Sequence, residues 1–258
     1  MATNINDMRS SLATRRTKTA AAEQQPARER ELKNRLLSAL PEKELQLVRE
    51  HLEFLDLPDH LTLHEAHDEV KYIYFPNSGM ISLVIAMQDG KTVEVALVGR
   101  EGATSISAAS GPIRNPIREI MQISGNGYRI KIEELRKLLP AAPQFRHMLN
   151  RYTLMLNMQM AQTAACNRLH DIEQRLARWL LMAQERVESS MLMITHDFLA
   201  TMLGTDRPTV SSTAGVLQKL NIINYRRGAV TILDTPKLQS FACECVGVIQ
   251  RYNDEYWG

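Results

Sequence analysis

Apolar residues along this chain change their spacing several times, and each change marks an element. Leu36, Leu37, Leu40, Leu45, Val48, Leu52 and Leu55 recur at helical intervals with Pro41 as an interruption, which predicts short helices across 32–55. From 60 to 132 the pattern shortens. Leu61-Thr62-Leu63, Tyr72-Ile73-Tyr74-Phe75 and the runs 80–87, 92–98 and 119–123 are β-rich. They are separated by His67-Asp68, Pro76-Asn77-Ser78-Gly79, Gln88-Asp89-Gly90 and Ser124-Gly125-Asn126-Gly127. Short strands with regular turn punctuation predict a small antiparallel barrel or roll. Helical spacing returns at 133–139 and runs from 143 to about 168.

The long helix carries two stripes. Met148, Tyr152, Met155, Gln159, Gln162 and Cys166 form one, and Leu154, Met158, Ala161 and Ala165 the other. Two stripes mean cover on two sides. Either both lie in one core, or one is a seam with a second copy. The first stripe is the predicted dimer seam, with methionine filling gaps adaptably. His170-Asp171 then breaks the pattern before an amphipathic helix over 172–186, with Leu176, Trp179, Leu180 and Val187 inward. Leu238, Phe241, Cys245, Val248 and Tyr252 keep helical spacing and predict one closing helix.

Between these lies ITHDFLATMLGTDRPTVSSTAGVLQKLNIINYRRGAVTILD, from Ile194 to Asp234. Ala200, Gly204 and Val210 suit two helices crossing steeply: a small residue for close approach, a glycine for the turn, a β-branched anchor. Thr205 and Asp206 offer N-cap oxygens, and Pro208 is tolerated only in a first helical turn. Two alternating apolar runs flank Arg226-Arg227-Gly228, which predicts a hairpin with a three-residue turn. Helix-turn-helix plus hairpin is a winged DNA-binding module. Glycine-linked helix pairs also occur in proteins that never touch nucleic acid. The arginines at the hairpin tip favour DNA.

Composition changes this picture little. Hydrophobic residues make up 44% and charged residues 23%, ordinary for a globular chain. Net charge is +2, so any basic footprint must be local. Residues 1–30 lack apolar periodicity and carry Arg9, Arg15, Arg16, Lys18, Arg28 and Arg30, which reads as a disordered tail. Three cysteines fit a reducing cytoplasm better than a disulfide scaffold. No run approaches the ~20 apolar residues of a membrane span. The division expected is a tail (1–30), N-terminal helices and a β-roll sensor (31–142), a dimerisation helix (143–170) and a winged helix-turn-helix domain (171–258).

Taken in order, and in the segments YIYFPNSGMISLV, VEVALVGREGATS and ITHDFLATMLGTDRPTV, the chain resembles the Crp/Fnr family of bacterial transcription regulators over roughly 45–235. The resemblance implies an α+β fold: a cyclic-nucleotide-binding-type β-roll, a long dimerisation helix and a C-terminal winged helix-turn-helix. It also implies double-stranded promoter DNA, RNA polymerase and a second copy of the chain as partners. The ending FACECV is similar to a branch of that family without a well-defined effector. On the family pattern the effector residues would be Gly99, Glu101, Gly102 and Arg114. In the favoured register the cyclic-AMP cassette is not met, because Ala103 stands where the acid belongs and Arg114 matches its arginine only approximately; a shifted register would make Glu101 the acid. The DNA-contacting set would be Thr205, Asp206, Arg207, Thr209, Ser211, Ser212, Thr213, Arg226 and Arg227. Arg207, Pro208 and Ser212 stand where DNA-reading relatives present Arg-Glu and a second Arg, so only Arg207 is expected to make a bidentate guanine contact.

No cofactor or metal is expected. An iron–sulfur cluster uses four cysteine ligands, and this chain has three cysteines. Cys243 and Cys245, two apart on one helix, would point to different faces. Core packing therefore accounts for them, and no spacing of the seven histidines points to haem. Nucleophile elbow, HExxH and P-loop signatures are missing, which argues against an enzyme. The competing function is a small-molecule or protein docking module built on the same folds.

Overall fold

The computed structural model describes residues 31–257. The tail expected at 1–30 lies outside them. Two short helices open the described chain, α1 (Arg35–Ser38) and α2 (Glu42–Arg49), with Pro41 at the cap of the second. The expected helical run ends there, because Glu53–Leu57 forms β1. Leu52 just before the strand and Leu57 at its end are buried, five residues apart, a spacing that does not by itself separate strand from helix.

β1 joins β2 (Thr62–His64), β3 (Tyr72–Pro76), β4 (Met80–Ala86), β5 (Thr92–Val98), β6 (Arg118–Ile123) and β7 (Gly125–Lys131) in two antiparallel sheets, ordered β1-β7-β3 and β2-β6-β4-β5. β7 begins inside the stretch expected to be a turn. A Cβ on Gly127 would lie 2.4 Å from the Phe75 carbonyl oxygen, so this glycine serves close strand approach and not a reversal.

Helix α3 (Ile132–Leu138) leads to α4 (Pro143–Leu169), about 40 Å long at 1.5 Å per residue. Extended backbone at His170 ends it, and α5 (Ile172–Val187) follows, where the Gln174 side chain accepts from the Asp171 N–H at 3.2 Å. Then come β8 (Met191–Met193), α6 (His196–Leu203), α7 (Arg207–Lys219), β9 (Ile223–Arg226) and β10 (Ala229–Ile232), with sheet order β8-β10-β9. The closing element is two helices, α8 (Thr235–Phe241) and α9 (Cys245–Trp257), with an extended break at Ala242. No described helix is long and apolar enough to cross a membrane.

One core cluster crosses the expected boundary near 170. Met80, Val84 and Leu97 of the roll pack with Leu176, Trp179 and Leu180 of α5 and onward with Leu199, Val210 and Leu217. Trp179 is 1% exposed at its centre. α5 is therefore a shared wall between the roll and the helix-turn-helix.

Candidate nucleic-acid interface

The two helices α6 and α7 are set by local chemistry at both ends. Thr195 caps α6 by accepting from the Phe198 N–H at 3.2 Å, and Gly204 ends it at φ +61°. Asp206 caps α7, its carboxylate accepting from the Thr209 N–H at 2.7 Å, a bond that holds its pKa below the ordinary range. At the far end Asn221 is left-handed and the Ile222 N–H donates to the Leu217 carbonyl at 3.0 Å, closing a Schellman-type stop. Ala200 and Val210 are both buried where the helices cross.

Of the two candidates Thr205 and Asp206, Asp206 occupies the cap. Arg207 is the first helical residue, exposed, with Nη1 3.5 Å from Asp197 Oδ2. Buried residues of α7 are Val210, Thr213, Ala214 and Leu217. Thr213, expected to touch DNA, is 3% exposed and belongs to the core. Ser211 is half-buried, with its hydroxyl 2.9 Å from His196 Nδ1. The His196 ring stacks on Tyr225 at 3.7 Å, and burial followed by the nearby Arg207 charge lowers its pKa.

The outward face of α7 carries Arg207, Pro208, Ser212, Val216 and Lys219, with Gly215 between them. Val216, Gly215 and Lys219 were not singled out from sequence. They follow from helical spacing continued from Pro208 through Ser212, so the signal was present. The hairpin turn is two residues, not three: Arg226 pairs with Ala229, and Arg227 and Gly228 have φ +52° and +79°. Positive φ at both positions is the turn whose twist suits a tight hairpin. Arg226 and Arg227 are exposed on it.

The expected effector residues separate. Gly99, Glu101 and Gly102 share one turn, closed by the Gly102 N–H donating to the Gly99 carbonyl at 3.1 Å. Glu101 faces α5: its Oε1 lies 3.1 Å from Arg186 Nε and accepts from the Gly99 N–H at 3.0 Å. A Cβ on Gly102 would lie 1.8 Å from the Tyr152 hydroxyl, so α4 fills the space against the turn. Arg114 is exposed and pairs with Glu69 at 3.0 Å. Among the described residues no hydrogen bond or ion pair joins it to that turn.

A second link to α5 comes from Glu94 of β5. It is buried, accepts from the Ser82 hydroxyl at 2.5 Å and from Trp179 Nε1 at 2.7 Å, and burial lifts its carboxyl to about 7.

The predicted dimer stripe is largely internal. Tyr152, Met155, Gln159 and Cys166 are 0–6% exposed within the chain itself. Gln159 pairs with both backbone groups of Leu97, at 3.3 and 3.1 Å, as a strand would. Gln162 donates to Cys245 Sγ at 3.0 Å, and Met148 is half-buried. The exposed stripe is the other one: Leu154 (63%) and Met158 (47%), with exposed Ala161 and Ala165, extended by Leu169. Periodicity found both stripes but could not tell which faced the roll.

A family model described as the Crp-like helix-turn-helix domain matches residues 174–241. No curated protein matches the chain in sequence. Among solved structures, a Crp/Fnr-family transcriptional regulator from Eubacterium rectale is similar at 16% identity and TM-score 0.64, covering 80% of this chain and 97% of that one. FixK2 from Bradyrhizobium japonicum is similar at 15% and 0.65, covering 74% and 98%. The c-di-GMP-responsive regulator CLP from Xanthomonas campestris is similar at 16% and 0.62, covering 74% and 99%.

Proposed function

We propose that this chain, a Crp/Fnr-type regulator by its helix-turn-helix and its fold, binds double-stranded promoter DNA as a homodimer under control of a signal received at the β-roll. The observation that carries DNA reading is the outward face of α7. It presents one arginine, a serine, an exposed valine and a terminal lysine, with a glycine where the helix would come closest to its target. Arginine suits guanine, apolar side chains suit the thymine methyl, and lysine suits phosphate. Arg226 and Arg227 at the hairpin tip flank that face as backbone contacts.

Pairing through Leu154, Met158, Ala161 and Ala165 would cover an apolar stripe and set two α7 helices on successive half-sites. RNA polymerase is the protein partner that the family resemblance implies. Glu101–Arg186 and Glu94–Trp179 support signalling through α5, since both join the roll to it.

Selection of bound sequences from random duplex DNA by the purified full-length protein, with and without cell extract, tests this reading. Enrichment of a two-fold symmetric site is expected. Failure to enrich any sequence under either condition overturns it and favours the docking module.

A further inference from the structure

The break between α8 and α9 brings together residues that a continuous closing helix would have kept apart. Cys166 and His170, four residues apart at the end of α4, face Cys243 and Cys245 from the break. The three sulfurs and a His170 ring nitrogen all lie within 4.8 Å of one another. Cys166 Sγ is 3.5 Å from Cys243 Sγ, and Cys245 Sγ is 3.6 Å from His170 Nδ1. We propose that Cys166, His170, Cys243 and Cys245 form a tetrahedral Zn²⁺ site that clasps the C-terminal helices to the end of α4.

The dimensions suit one ion. Sulfurs bound to tetrahedral zinc at about 2.3 Å stand about 3.8 Å apart, close to the spacing found. A multi-iron cluster holds its cysteine sulfurs farther apart than a single ion does. A Cys166–Cys243 disulfide would leave Cys245 and His170 without a role. The expectation of no metal rested on Cys243 and Cys245 sharing a helix. Ala242 is extended (φ −74°, ψ 153°) and α9 begins only at Cys245. Cys243 therefore precedes the helix and Cys245 opens it, so the helical spacing that would point them to different faces does not apply across the pair.

The surroundings fit a metal as well. His170 Nε2 is 3.1 Å from a Glu244 carboxylate oxygen, the partner that fixes a ligating imidazole with its other nitrogen free for metal. Gln162 donates an amide N–H to Cys245 Sγ, a bond suited to a thiolate. Zinc with three thiolates and one neutral imidazole carries a single negative charge. Arg178, 4% exposed, makes no ion pair among the described residues, and its Nη1 donates to Thr163 Oγ1 at 3.5 Å, one turn before Cys166. Arg175 lies one turn before Arg178 on α5. A buried guanidinium requires a compensating anion, and the loaded site would supply one. Binding displaces the thiol protons to solvent and moves no electron. The site would also reach the DNA-binding helices, because Arg175 donates to the Leu203 carbonyl, the last residue of α6.

The test uses the full-length chain, reduced and stripped of metal. Co²⁺ should produce sulfur-to-cobalt charge transfer and the intense visible bands of a tetrahedral site, and Zn²⁺ should bleach them at about one equivalent. Zinc should protect all three thiols from alkylation. Glu244→Gln keeps every ligand and should weaken zinc about 10–100-fold with the cobalt bands in place. Cys245→Ser should lose charge-transfer intensity, and if that variant does not fold, the wild-type spectrum and thiol protection decide. Thiols that alkylate equally with and without zinc would overturn the proposal. So would a weak octahedral cobalt spectrum, retention of iron in preference to zinc, or a dominant Cys166–Cys243 disulfide in protein isolated without oxygen.

Discussion

Replacing Gly215 by alanine sets two consequences of one geometry against each other. The residue lies mid-way along the outward half of α7, and a Cβ built there meets nothing within 4 Å. In the free protein the substitution removes a helix-interior glycine without creating a clash. Helix propensity then predicts a gain of about 0.8–1 kcal/mol, or a rise of roughly 2–4 °C in Tm for a chain of this size. On DNA the same methyl group would enter the gap between helix and groove. A loss of about ten-fold in affinity, near 1.4 kcal/mol, is expected. Thermal unfolding reads the first effect, and fluorescence anisotropy on a selected operator reads the second. Gly247→Ala in α9 is the control: its Cβ would meet only the tip of Arg251 at 3.5 Å, so stability should change without DNA affinity. A Gly215→Ala protein that is more stable and binds operator normally would refute close approach by α7. A less stable one would refute the claim that the position is open.

Arg207→Ala should cost roughly 1–3 kcal/mol and relax preference at one base position, whereas Arg226→Ala or Arg227→Ala should weaken all sequences alike and reduce the salt slope by about one; equal weakening of every operator variant by Arg207→Ala would make it a phosphate contact. Met158→Glu should shift sedimentation toward monomer while Tm holds, and a wild-type chain that sediments as a monomer at micromolar concentration defeats the seam. Burial raises the Glu94 carboxyl from 4.5 to about 7, so the protonated form is favoured on folding. Its contribution is full below about 4.5 and lost as pH rises through about 7, a span of about 3 kcal/mol. Glu94→Gln should flatten that decline in Tm, and an unchanged slope would remove Glu94 as its source. Glu101→Gln should strand Arg186, 3% exposed, and destabilise by about 3–5 kcal/mol in chemical denaturation, with a change under 1 kcal/mol counting against the pair.

Much of the fold was legible because element type follows from the spacing of apolar residues and the residues that bound them. The strands 72–76 and 92–98 and the helices 143–169 and 172–187 each carry one dominant spacing, and their ends are marked by proline, glycine or Asp171. Legibility failed where one signal had two physical causes. Glycines at 125 and 127 read as a turn because glycine permits both reversal and close strand packing; here the neighbouring Phe75 and Ser78 backbones decide for packing. Thr213 reads as a groove contact by its hydroxyl, yet its position between Val210 and Leu217 places it on the buried face. On α4 both stripes are apolar, and long-range contacts reveal which one meets the roll: the Gln159–Leu97 pairing, 62 residues apart in sequence, and Tyr152 against Gly102. The cysteine cluster was hidden for the same reason. Its four members span 166 to 245 and converge through a helix break that apolar periodicity runs straight across.

These long-range contacts also bear on how a signal could travel. α5 shares a core with Met80, Val84 and Leu97 of the roll on one side and with Leu199 and Val210 of the helix-turn-helix on the other. A packed interface of this kind moves between discrete arrangements and does not deform gradually. The turn at 99–102 holds α5 through a buried ion pair, and β5 holds it through the Glu94–Trp179 bond. Reversing a two-state equilibrium from 1:99 to 99:1 requires about 5.5 kcal/mol. Breaking the ion pair alone costs about 3–5 kcal/mol, and losing a hydrogen bond adds about 0.5–1.5. A ligand that took Glu101 away from Arg186 would have to offset that cost through its own preference for the opened arrangement, acting on the helix that α6 and α7 lean on. The helix-turn-helix also meets the β4–β5 hairpin directly, where Gly204, Thr205 and Asp206 line a cleft with Lys91 and Val93.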